Sequence, residues 1–138
     1  MDERVVEKRL ELEADVEQVW RAITDPEALA RWFPDKADFQ ATPGYEGAFA
    51  WDKHGSFAVR VDEADPPHRL VWSWVHKTGV PFAEGGVATT VEWTLTARPG
   101  GGTTLHLREF GFPSDERRAQ NDDGWNEELG ELVVLLEA

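Results

Sequence analysis

The chain has 138 residues, a formal net charge of −13, 41% apolar and 30% charged residues, and no cysteine. That length fits one domain, and a chain near 150 residues hides roughly 68–70% of its unfolded surface, so no disulfide or metal staple is needed. Without Cys there is no disulfide, thiolate metal site or thiol nucleophile, and the charge repels nucleic-acid phosphate and anionic lipid. The acidity serves solubility first; a cationic partner or substrate is the sharper reading. Met1–Arg9 is charged with no apolar signal-like run, and Leu132–Leu136, the longest apolar run, is far too short for a bilayer. A cytoplasmic protein without membrane insertion is expected.

Residues 4–12 set Val6, Leu10 and Leu12 against Glu7, Glu11 and Glu13, the period of an edge-type strand. Asp15 with Gln18 three residues on is a capping-box pattern, and Val16, Val19, Trp20 and Ile23 then share one helical face. Asp25 and Pro26 predict the cap and first turn of a second short helix, whose apolar side is Leu29, Trp32 and Phe33 and which Pro34 stops. A short strand over 37–41 precedes the Pro43-Gly44 turn. Gly47–Trp51 alternates, Lys53-His54-Gly55 connects a hairpin, and Phe57, Val59 and Val61 alternate in the next strand until Asp65-Pro66-Pro67.

Leu70, Trp72, Trp74 and His76 share one face of the following strand, and Val71, Ser73 and Val75 the other. Both faces are apolar enough to be covered. Lys77–Gly86 is the longest irregular segment, with Val80-Pro81-Phe82 as an apolar tip over a cavity mouth. Val87–Ala97 gives the cleanest alternation, with Thr89, Val91, Trp93 and Leu95 on one side. After the Pro99–Gly102 turn, Leu105, Leu107 and Glu109 face one way. A closing helix is entered through Gly124-Trp125, with Leu129, Leu132, Val133 and Leu136 at helical spacing. Six or seven strands with short turns predict an antiparallel sheet, and the helices must cover one of its faces.

The seven tryptophans fill a core or line a pocket for a flat apolar ligand; such pockets are mostly apolar with a few placed polar groups. Glu109 has inward parity. A carboxylate there bonds a ligand, acts as general acid or base, or escapes to a solvated rim. His76 stands at a strand end and titrates near neutrality in water. No His pair has metal spacing, no phosphate loop follows Gly100-Gly101-Gly102, and no serine has a nucleophile elbow, so neither a metal nor a cofactor is expected.

Taken together, Val19-Trp20-Arg21-Ala22-Ile23-Thr24-Asp25-Pro26 with Leu29 and Trp32, Asp65-Pro66-Pro67-His68-Arg69-Leu70-Val71-Trp72-Ser73-Trp74, Glu109-Phe110-Gly111-Phe112-Pro113 and Gly124-Trp125 with Leu129 are recognisable. They resemble the activator-of-Hsp90-ATPase-like branch of the START-like helix-grip superfamily, the SRPBCC group. The resemblance spans nearly the whole chain. It implies an α+β helix-grip fold (START/Bet v 1-like) in a single domain over 1–138: a curved antiparallel sheet around a long C-terminal helix, with two short helices. A cavity between sheet and helix is implied with it.

The expected function is non-enzymatic binding of a small hydrophobic or aromatic molecule. Trp32, Phe33, Phe49, Trp51, Phe57, Val59, Trp72 and Trp74 are the candidate ligand-binding residues of the first half, and His76, Val91, Trp93, Leu107, Glu109, Phe112, Trp125 and Leu129 those of the second. The alternatives are an aromatase/cyclase-like or hydrolase-like enzyme using Glu109 with His76, and a chaperone-linked interaction module. The protein is expected as a monomer or weak homodimer.

Overall fold

The computed structural model describes residues 4–80 and 87–137. Its elements run β1 (Val6–Leu12), α1 (Val16–Thr24), α2 (Pro26–Trp32), β2 (Lys36–Asp38), β3 (Glu46–Trp51), β4 (Gly55–Asp65), β5 (Arg69–Val75), β6 (Ala88–Ala97), β7 (Thr103–Phe110) and α3 (Asp115–Glu137). The strands form one antiparallel sheet in the order β1-β7-β6-β5-β4-β3-β2, which makes β1 an edge and β5 the centre. Helices cover one face, as the alternation requires.

Local chemistry sets the helix starts. The Asp15 carboxylate accepts from Gln18 N–H at 2.8 Å while the Gln18 side chain accepts from Asp15 N–H at 3.0 Å, closing the capping box of α1. Asp25 caps α2 through Glu27 N–H at 3.1 Å, with Pro26 in the first turn, where no intrahelical partner exists for its missing N–H. Strand parity holds through the sheet: Thr89, Val91, Trp93 and Leu95 are buried on β6, as are Leu105, Leu107 and Glu109 on β7. Both faces of β5 are covered, since Val71, Ser73 and Val75 are buried as well. The outward face carries a polar ladder in which Arg69 reaches Glu63 (3.0 Å) and Glu92 (3.1 Å), and Arg108 reaches Glu92 (2.9 Å).

Two expectations change, and a third falls largely outside the described residues. The third helix begins at Asp115, not at Gly124-Trp125, and runs 23 residues, about 34 Å at 1.5 Å per residue. Its first turns lack the apolar periodicity that marks its C-terminal half; the readable start signal is Ser114, whose Oγ accepts from Arg117 N–H at 3.1 Å, followed by Asp115 and Glu116. The strand expected over 37–41 is the three-residue β2 at 36–38. Of the tip expected at Val80-Pro81-Phe82, the last two residues lie outside the described residues.

Gly47 is where β3 meets β2 most closely. A Cβ there would fall 1.9 Å from the Asp38 carbonyl oxygen, whereas one at Gly130, on the exposed side of α3, meets nothing within 4 Å. Gly47→Ala is therefore expected to cost about 2–3 kcal/mol by overpacking, and Gly130→Ala to add about 0.5–1 kcal/mol through helix propensity. Urea denaturation of the two variants checks both signs.

Candidate functional site

Between the sheet and the helices lies an aromatic cluster. Phe33, just past α2, is its hub: it stacks on Trp32 at 5.0 Å and on Trp125 of α3 at 5.3 Å, and meets Phe49 and Trp51 of β3 edge-on at 5.4 and 5.2 Å. Trp74 of β5 stacks on Trp125 at 5.8 Å. Trp72 contacts Phe49, Phe39 and Trp93 at 5.2–5.6 Å. Indole N–H groups find backbone acceptors where they can: Trp32 donates to Ala22 O at 2.8 Å and Trp51 to Phe33 O at 3.0 Å.

This cluster fills the centre. Trp32, Phe49, Val59, Trp72, Val91, Trp93 and Leu107 are all buried in one packed core. None of these candidate ligand contacts lines any of four cavities of about 310–500 Å³ among the described residues. A separate cavity of about 450 Å³ lies between β1 and the C-terminal end of α3. Open volume bounded by rings of the cluster lies where the β3–β4 hairpin faces the N-terminal half of α3. A cleft of about 350 Å³ there is floored by Phe33, Trp51, Phe57, Trp74 and Trp125. Its other walls are His54 from the hairpin and Gln120, Asn121, Gly124, Glu127 and Glu128 from α3. An adjoining space of about 500 Å³ shares Trp51, His54, Phe57, Trp74, Gln120 and Asn121, and extends to His76 and Arg117. Phe112 is buried with its ring 6.3 Å from His76. Leu129 faces away from the cleft, lining a groove of about 310 Å³ between β1 and α3. Trp125 was readable from helical spacing, but the contributions of Arg117, Gln120, Asn121, Glu127 and Glu128 were out of reach of a periodicity argument, because the first half of α3 is polar.

Glu109 sits beneath the cleft with no exposure to solvent. Trp125 Nε1–H donates to its Oε1 at 2.8 Å, and Trp74 Nε1–H to its Oε2 at 2.8 Å. The Asn121 amide donates to both oxygens at 3.1 and 3.2 Å, and the Thr89 hydroxyl donates to Oε2. Indole and amide N–H groups only donate, so both oxygens serve as acceptors and the carboxylate's lone pairs are taken by the protein. The rim position considered from sequence is not adopted. Nor does an arginine pair with Glu109 among the described residues; neutral donors satisfy it.

His76 joins from the side. Arg117 Nη1 lies 3.0 Å from its Nδ1. A guanidinium only donates, so Nδ1 accepts, Nε2 carries the proton, and Nε2–H donates to Thr89 Oγ1. The result is a directed chain: Arg117 to His76 to Thr89 to Glu109. Burial, followed by the Arg117 charge, pushes His76 down to about 4. Among the described residues no group of three or more His, Asp or Glu is arranged to hold a metal ion, and no helix is long and apolar enough to cross a membrane.

Two outcomes follow from this geometry. In Glu109→Gln, one of the two oxygens becomes an NH₂ facing an indole N–H, donor against donor. A loss of about 3 kcal/mol in unfolding free energy is expected, measured by urea denaturation. For His76 the unfolded imidazole titrates near 6.5 and the folded one near 4. The unfolded state therefore takes up the proton first, and stability that is full above pH 6.5 is lost as pH falls toward 4, by on the order of 2–3 kcal/mol. His76→Gln should flatten that slope in urea midpoints taken between pH 7 and 4.

The fold has counterparts among solved structures. The chain is similar over 99% of its length to DynU16, a protein in the dynemicin biosynthetic locus, at 29% identity and a TM-score of 0.85, and spans 48% of that longer chain. It is similar to MLL2253 from Mesorhizobium loti at 28% identity and a TM-score of 0.83, covering 96% of each chain. CalU16 from Micromonospora echinospora is similar at 28% identity and a TM-score of 0.76, over 96% of this chain and 75% of that one. No protein of curated function matches. The model of the family "Activator of Hsp90 ATPase homolog 1-like protein" matches residues 13–137, and the chain, a helix-grip domain of the SRPBCC type, belongs to that family.

Proposed function

We propose that the protein binds a small, flat, apolar or aromatic molecule in the cleft between the β3–β4 hairpin and α3. The observation that carries this reading is the floor of five aromatic side chains, Phe33, Trp51, Phe57, Trp74 and Trp125, under an opening of about 350 Å³, a volume at the small end for ligand pockets. Trp74 and Trp125 turn their N–H edges toward Glu109, which fixes two rings of the floor before a ligand arrives. Such preorganisation reduces the ordering cost of binding. Glu109 acts in this reading as the post that holds the floor, through Trp74 and Trp125, and does not touch the ligand itself. The similarity to a protein of the dynemicin biosynthetic locus supports a small-molecule role.

Burying roughly 200–300 Å² of apolar surface gives about 5–7 kcal/mol before association costs, so weak binding, with dissociation constants of roughly millimolar order, is expected. The neutral probe N-phenyl-1-naphthylamine tests the site by saturable quenching of Trp fluorescence. Trp51→Ala and Phe57→Ala should each weaken its binding about tenfold, while Val134→Ala, on the exposed side of α3, should not. Saturable binding that ignores the first two substitutions places the ligand elsewhere and defeats the proposal.

A further inference from the structure

The two walls of the cleft differ in kind. One is ring surface. The other is the Glu127–Glu128 turn of α3, and the lining includes no Lys or Arg among the described residues. Glu128 is half-buried and has no hydrogen-bond or ion-pair partner among the described residues. Among the described residues the charged groups that act on it are acidic: Glu127 and Glu131 from α3 itself, and Asp35 from the segment joining α2 to β2. Burial first, then those three carboxylates, raises Glu128 to about 7. His54 lines the same cleft from the hairpin. Arg117, the cation of the adjoining space, is turned to His76 Nδ1 at 3.0 Å.

A carboxylate left half out of water among other carboxylates lacks one thing, a positive charge. The ring faces want the same partner, because an aromatic quadrupole attracts a cation placed over it. The net charge of −13 favours cations over anions near the protein, most of all in a cleft walled by carboxylates. We infer that the cleft selects an organic cation: a flat apolar body lying on the Trp51, Trp74 and Trp125 surface, with a protonated or quaternary amine set against Glu128. This rests on the cleft being the binding site, as proposed above, and adds the charge class of its ligand.

Three probes with one ring system and different charge test it: 2-naphthylmethylammonium, 2-naphthalenemethanol and 2-naphthoate, titrated calorimetrically into the full chain at pH 8 and pH 6. The ammonium should bind about tenfold more tightly than the alcohol at pH 8, and the naphthoate most weakly. At pH 6, where Glu128 is protonated, the advantage of the ammonium should shrink several-fold. In Glu128→Gln the gap between ammonium and alcohol should close at both pH values. That variant removes an acid whose folded-state pKa is raised, so it should unfold at a higher temperature than the parent at pH 8 and at the same temperature below pH 4.5; loss of selectivity then cannot come from unfolding. Alcohol binding as tightly as ammonium overturns the cation inference and leaves the cleft reading intact. Failure of all three probes to bind overturns both. A pH dependence that survives in Glu128→Gln overturns the role given to Glu128.

Discussion

The buried carboxylate of Glu109 is the constraint around which the interior is organised. Taking such a group out of water costs several kcal/mol unless its oxygens are fully hydrogen-bonded. The donors come from β5 (Trp74), β6 (Thr89) and α3 (Asn121 and Trp125). No single element can satisfy it, so α3 must lie across the sheet at one place and with one rotation. Hydrophobic packing alone tolerates sliding; a set of directed N–H bonds to two oxygens does not. The protein thus uses a polar group to position its longest helix.

That anchoring decides where the open space lies. With Trp74 and Trp125 pinned by their indole edges, Phe33 stacks against Trp125, and the centre between sheet and helix closes around Phe49, Trp72 and Trp93. The packing carries a penalty: the Nε1 atoms of Trp72 and Trp93 are buried without partners among the described residues, each a loss of about 1–3 kcal/mol. On the hairpin side Trp51 and Phe57 remain partly open. The same ring cluster therefore serves as core below and as floor above.

Charge is sorted with equal consequence. On the outward face of the sheet, acids are paired along the Glu63-Arg69-Glu92-Arg108 ladder. In the cleft they are not: Glu127 and Glu128 stand beside ring faces with Arg117 drawn off toward His76. With 14 Lys and Arg against 27 Asp and Glu, some acids must go without a cation, and the fold leaves Glu127 and Glu128 among them on the wall of the opening.

What the sequence determined was local. Alternation with period two assigned the faces of β6 and β7, and with them the inward direction of Glu109, because a strand offers a side chain only two directions. Asp15, Gln18, Asp25 and Pro26 announced the starts of α1 and α2, because caps act within one turn. The motifs that carry the family resemblance lie within or beside these same elements. The tertiary structure alone decided the partners of Glu109, which lie 12 to 35 positions away in the chain, and the sorting of the tryptophans into core and cleft. It also brought the polar first half of α3 to the opening, where Gln120, Asn121, Glu127 and Glu128 form a wall. Buried rings and pocket rings have the same composition and the same spacing. They differ only in what the rest of the chain sets against them, and that is fixed when α3 docks.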